Sequence, residues 1–194
     1  MKILLASGSQ RRLELLSALG HEIVVKPALV VEVIEHEGRT DEQVALVNAR
    51  LKAHHVFLET GLLGCDILVG ADTVVLVSGE LLGKAEDQKE ASLMLKKLSG
   101  QAHVVATGYC LIDKAGREIC GLVKSQVEFR ALSDQEISSY VASNDWHDKA
   151  GAYGIQTLGA ALVRKVDGSI NNIIGLPIEE LVADAKKLLF DAGH

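Results

Sequence analysis

Aromatic residues are scarce in this 194-residue chain, at 4%, which leaves little material for the base-stacking platforms that hold single-stranded nucleic acid. A surplus of positive charge is missing too. The formal net charge is −6, whereas proteins that grip a nucleic-acid polymer usually carry a basic face that neutralises phosphates. A small phosphorylated ligand stays allowed, because a few focused cations in an acidic protein can bind one nucleotide. No apolar stretch approaches the length that spans a bilayer, and the amino end lacks a basic region followed by a signal-peptide core. A cytoplasmic protein without a membrane partner is therefore expected. Cysteine occurs only as Cys65, Cys110 and Cys120. These are odd in number and scattered, without the close pairing of zinc or redox motifs, which favours reduced packing thiols over a disulfide framework. The seven histidines show no His-Glu-x-x-His or comparable spacing, so no histidine zinc site is expected.

What is present is apolar material in quantity. Hydrophobic residues make up 48% of the chain, enough for a sizeable core in one domain spanning residues 1–194. Helices and strands alternate without internal repeats, which predicts an α/β fold. Thr40 with Gln43, Asp87 with Glu90, and Ser133 with Glu136 have the spacing of capping boxes, each followed by apolar residues at helical intervals. Pro177 opens a last helix with Ile178, Leu181, Val182, Ala185 and Leu188 on its inner face. Ile67 to Val77 reads as a long buried strand. Val104 to Ile112 and Gly121 to Phe129 read as two more, joined by a hairpin around Lys114-Ala115-Gly116. A hairpin makes its strands antiparallel, so the sheet is expected to be mixed and curved, with helices on its flanks.

The most informative stretch is Ile3 to Leu16, which runs from strand through Ser7-Gly8-Ser9 to a helix, with Arg11 and Arg12 at the bend. A helix N-terminus offers free N–H groups and the positive end of its dipole, and guanidinium forks match phosphate oxygens. A capped surface helix with two solvated arginines is the alternative. Asp72 interrupts the apolar run Leu68 to Leu76, where an ionised carboxylate is costly unless a cation or metal compensates it. Gly70 and Ala71 beside it leave room for a ligand to approach the backbone. A strand-end aspartate capping a turn would also account for Asp72. Glu32 lies in the apolar segment Leu29 to Ile34, either as a functional carboxylate or as the solvent-facing residue of a strand. Lys84 follows a tight turn and Lys52 lies on the helix after Thr40; taken alone, each reads first as an ordinary solvated lysine. Lys149 to Gln156 is glycine-spaced and ends in a planar amide that can face a base edge or a carbonyl; a glycine-rich turn with Gln156 on the surface accounts for it at least as well.

Together these segments, with Leu98 to Val104 and Asn172 to Pro177, resemble the Maf family of nucleoside triphosphate pyrophosphatases over nearly the whole chain. The resemblance implies a sheet with two lobes around a nucleotide cleft, as in inosine triphosphatases. It also implies hydrolysis between the α- and β-phosphates with a divalent metal, Mg²⁺ or Mn²⁺. Carried over position by position, Ser7, Arg11 and Arg12 bind phosphates, and Glu32 and Asp72 hold metal or activate water. Lys52 and Lys84 neutralise the polyphosphate. Ala71-Asp72-Thr73 with Ala150 to Gln156 is similar to the dTTP/UTP branch, which makes Thr73 and Gln156 candidates for recognising the pyrimidine; the branch associated with 7-methyl-GTP typically has Gln and Glu at these positions. A homodimer is implied as well. The family's link to septum formation supplies an alternative, a nucleotide-binding regulator of cell division without turnover. Gln10, Val31, Ala85 and Thr157 depart from the usual proline, aspartate, proline and glycine of the family.

Overall fold

The computed structural model describes residues 1–34 and 41–190. Strand β1 (Lys2–Leu5) carries Ile3, Leu4 and Leu5, all at most 1% exposed, and burying an aliphatic side chain this fully contributes about 1.5–3 kcal/mol. Helix α1 (Gln10–Ser17) follows the Ser7–Ser9 turn, and Gly20 takes up the left-handed φ of 75° that reverses the chain after it. The chain returns as β2 (Glu22–Val25), parallel to β1. Helix α2 (Gln43–Thr60) then leads to β3 (Ile67–Val77), which lies parallel to β1 on its other side. Leu16 of α1 packs with Ile3 and Leu5, while Ala53 and Val56 of α2 pack with Leu4 and Ala6. The two helices therefore cover opposite faces, and β1 is the point where the winding reverses, the place where open α/β sheets bind ligands.

Beyond β3 the sheet turns antiparallel. Strand β4 (Glu80–Leu82) folds back on β3, and helix α3 (Gln88–Leu98) leads into β5 (Ala102–Asp113), antiparallel to β3. The hairpin to β6 (Glu118–Phe129) turns at Lys114–Gly116, and β7 (Val163–Asp167) closes the row after helix α4 (Asp134–Ala142) and a 3₁₀ turn. Two helices finish the described chain, α5 (Ile170–Ile174) and α6 (Ile178–Phe190). The seven-stranded order is β2-β1-β3-β5-β6-β7 with β4 beside β3. This is the mixed, helix-flanked sheet the hairpin signal predicts. Among the described residues no helix is long and apolar enough to cross a membrane.

The caps follow the sequence closely. Asp87 accepts from the Glu90 N–H at 2.7 Å, and Ser133 with Glu136 forms a full reciprocal box. Thr40 lies outside the described residues; the first N–H of α2, from Gln43, is taken by Asp41 at 2.9 Å.

Three expectations change. Leu29 to Ile34 forms no strand, and Leu29 and Val31 are 83% and 93% exposed, so the apolar letters there do not mark a core. Gly70 opens no space for a ligand. A Cβ there would sit 2.5 Å from the Ala49 carbonyl, and one on Gly108 would sit 2.5 Å from the Ala45 backbone. Small residues on α2 thus rest on glycines of β3 and β5, which draws that helix unusually close to the sheet. The cysteines are also less scattered than their spacing suggests, because the hairpin register sets Cys110 opposite Cys120.

Candidate active site

Ser7, Arg11, Arg12, Glu32, Lys52, Asp72, Thr73, Lys84 and Gln156 all line one cleft of about 1080 Å³. Its floor is a gap in the sheet. Strand β1 pairs with β3 only as far as Val69, and β4 pairs with it only from Val75 to Val77. Between them residues 70–74 keep β5 along one edge, while no strand among the described residues lies along the other. The Ser7 turn opens onto this gap from the end of β1.

Asp72 is 6% exposed and points toward α2, on the same face of β3 as Gly70. Its Oδ1 accepts from Lys52 Nζ at 2.7 Å and its Oδ2 from Asn48 Nδ2 at 3.1 Å. Asn48 and Lys52 lie one turn apart on α2, so the glycine-on-alanine contact that brings the helix down also delivers both donors. Lys52 Nζ reaches Glu32 Oε1 as well, at 2.6 Å. Burial works to raise the Glu32 pKa, but Lys52, with Lys84 and Arg12 farther off, holds it below the ordinary carboxylate value. The two carboxylates therefore converge on one buried ammonium. Hard oxygen donors from one or two carboxylates are what Mg²⁺ or Mn²⁺ takes, and Asp72 with Glu32 fits that donor set.

Arg12 works as a crosspiece. At 9% exposure, it donates from Nε to the Gly175 carbonyl at 2.9 Å, from Nη1 to Ser7 Oγ at 3.0 Å and from Nη2 to Thr73 Oγ1 at 3.1 Å. Burial lowers its pKa, an effect the nearby Asp72 opposes, and guanidinium stays charged under either influence. A guanidinium has five N–H donors, so part of the fork remains for a ligand. Arg11 donates to the Asp148 carbonyl at 3.2 Å. Thr73 points to the face opposite Asp72, its hydroxyl 2.9 Å from that of Thr107. Lys84 is exposed on the far wall, bridged through its backbone to Ala150, which joins the turn after β4 to the Lys149 to Gln156 loop in one rim.

Residues 2–188 match the family described as Maf-like protein. The chain belongs to the Maf family. A dTTP/UTP pyrophosphatase of Caldicellulosiruptor saccharolyticus is 40% identical to this Maf chain, across 98% of it and 96% of the relative. One from Desulfitobacterium hafniense is 44% identical across 91% and 81%. One from Pyrococcus furiosus is 40% identical across 100% and 96%.

Several residues that line or brace the Maf cleft had no role assigned from sequence. Asn48 is 2% exposed and satisfies Asp72 together with the backbone N–H and C=O of Val33, which ties the Glu32 segment to α2. Helix α2 has no marked apolar face in its sequence to single this position out. Asn172 is fully buried and bonds Val105 O, the Thr107 N–H and Ser125 Oγ, which seats α5 so that Gly175 O meets Arg12. Asp145 holds the rim loop through Lys149, Thr157 Oγ1 at 2.7 Å and the Gly159 N–H at 3.3 Å. Thr157, where the family usually has glycine, thereby contributes an anchor to the loop.

Proposed function

We propose that this chain hydrolyses dTTP and UTP to the nucleoside monophosphate and pyrophosphate, with a divalent cation, as a cytoplasmic homodimer. The observation that carries the reading is the pair of carboxylates joined through buried Lys52 beside an arginine-bearing phosphate turn. The printed names of the similar enzymes support the substrate class.

In this reading Ser7, Arg11, Arg12 and the first turn of α1 receive the phosphates, with Lys84 approaching from the opposite rim. Water attacks phosphorus and the bond to the departing pyrophosphate breaks, while Asp72 accepts the water proton. Lys52 and Lys84 offset the charge that builds on the leaving group. Asp72 and Glu32 would hold a divalent cation, which would supply polarisation of the phosphate oxygens and a more acidic water. Gln156 is exposed, with no side-chain partner among the described residues, and its amide is assigned to the imide edge of the pyrimidine. Thr73 is assigned to the same discrimination, with its hydroxyl fixed by Arg12 and Thr107.

The Asp72→Asn variant tests this. Turnover is expected to fall by at least about 10²-fold, the lower end for removing a general base, while calorimetric nucleotide affinity stays within a few-fold. A variant that keeps most of its activity contradicts the role of Asp72. Tight nucleotide binding by the unaltered protein without product would point to a regulator instead.

A further inference from the structure

A second cluster of metal-binding side chains lies on the face of the sheet under α2, apart from the nucleotide cleft. Cys110 of β5 and Cys120 of β6 are directly opposed, with their sulfurs 2.8 Å apart. The hairpin explains the closeness. The Asp113 N–H donates to Arg117 O at its mouth, so alternation along the ladder puts Cys110 and Cys120 at a non-hydrogen-bonded pair, where opposed side chains come nearest. The carboxylate of Glu118, two residues before Cys120, points to the same place, and the ligand atoms of Cys110, Glu118 and Cys120 all lie within 4.8 Å of one another. His54 on α2 borders the group through Glu118, its Nε2 2.6 Å from Glu118 Oε2, and lies outside the set of three whose ligand atoms converge.

We propose that Cys110, Cys120 and Glu118 form a binding site for a thiophilic dication of the zinc class, with His54, hydrogen-bonded to Glu118, beside the fourth position. Two thiolates and one carboxylate, with an imidazole or a water in the fourth position, are a tetrahedral donor set for such an ion, and soft sulfur selects it over Mg²⁺ or Mn²⁺. Tetrahedral geometry at zinc–sulfur bonds of about 2.3 Å needs the sulfurs roughly 3.8 Å apart, a modest outward turn of two short side chains. The local charge suits the ion. A dication among two thiolates and a carboxylate leaves one negative charge, and Arg50 Nη2, 2.6 Å from Glu118 Oε1, offsets it. Access is open from the outside, because the His54 side chain is 43% exposed and Cys120 is only half-buried, while Cys110 closes the inner side. The ion would pin β5, β6 and α2 together. Helix α2 also carries Asn48 and Lys52, so its seating is shared with the cleft.

Separation along the chain hides this site. Cys110 and Cys120 are ten positions apart, far from the short spacing of zinc motifs, and the hairpin register alone joins them.

Cobalt and zinc distinguish the outcomes. The reduced full-length protein is titrated with Co²⁺ and read for the sulfur-to-metal charge-transfer absorption, then with Zn²⁺ against a chromogenic chelator. One equivalent with a thiolate band is expected, with affinity falling at least tenfold in Cys120→Ser and in Cys110→Ser and holding in Cys65→Ser. Cys120→Ser alone carries the comparison if the more buried Cys110→Ser fails to fold, and Glu118→Gln is expected to weaken binding while keeping the band. Absence of the band, equal affinity in Cys120→Ser, or a Cys110–Cys120 disulfide in the protein as purified would each overturn the proposal. None of these readouts depends on nucleotide turnover.

Discussion

Replacing Lys52 with methionine probes the join between the fold and the cleft. Lys52 is 8% exposed and supplies the only cation within 4 Å of either Asp72 or Glu32 among the described residues. Methionine keeps much of the buried stem but leaves Asp72, itself 6% exposed, as a carboxylate with Asn48 as its remaining side-chain donor. Removing one partner of a buried pair costs about 3–5 kcal/mol. Glu32 is half exposed and can turn to water, and the cleft admits solvent to Asp72, so the lower end, about 3 kcal/mol, is expected. That is a large part of the 5–15 kcal/mol typical of a domain. Urea unfolding at neutral pH reads the loss directly. The decisive companion is the double variant with Asp72→Asn, which removes the stranded charge. It should recover about 2 kcal/mol of the Lys52→Met loss while remaining inactive, a coupling of the size seen for residues in one network. A Lys52→Met cost below about 1 kcal/mol, or a cost unchanged by Asp72→Asn, would refute the view that these side chains form one compensated unit.

Other consequences follow from the same contacts. Gly108→Ala places a Cβ 2.5 Å from the Ala45 backbone; about 1–3 kcal/mol of stability should be lost to overpacking. Its turnover should fall as α2 lifts Lys52 from Asp72, both read by urea midpoint and product assay. Gln156→Ala, at an exposed position, should leave stability unchanged and raise KM for UTP and dTTP more than it lowers kcat. His103 is 2% exposed and burial pushes its pKa from 6.5 down to about 4. Its neutral form is the folded form, so stability is full above the unfolded pKa and is lost as pH falls toward the folded one. Between about pH 7 and pH 5 this amounts to roughly 2 kcal/mol, and His103→Gln should flatten that part of the unfolding profile. Chelation should abolish turnover and restored Mg²⁺ or Mn²⁺ should return it, as a product assay with each metal would show.

The fold was legible where local chemistry and tertiary context agree. The long apolar run predicted β3 with its observed ends, the Lys114–Gly116 turn predicted the β5–β6 pairing, and the Asp87 and Ser133 caps stand where their spacing placed them. Site candidates were legible for a different reason: Asp72 is a charge in an apolar strand, and Arg11 and Arg12 stand at a helix N-terminus, where phosphate is matched. The misreadings share a cause. Gly70 looked like ligand space because sequence does not say which element approaches a glycine, and here it is α2. Leu29 to Ile34 allowed a strand as one of its two readings because periodicity cannot show whether a partner strand exists, and Leu29 and Val31 are exposed. Asn48, Asn172 and the cysteine pair take their meaning from partners 15 to 67 positions away, or from a hairpin register, and neither is written locally.

Chromatographic product analysis tests the central claim most directly. The protein is incubated with dTTP, UTP, CTP, GTP and 7-methyl-GTP, each with Mg²⁺, with Mn²⁺ and with chelator. The account predicts monophosphate and pyrophosphate from dTTP and UTP, lost on chelation. Release of inorganic phosphate and a diphosphate, or no product from any nucleotide, would contradict it.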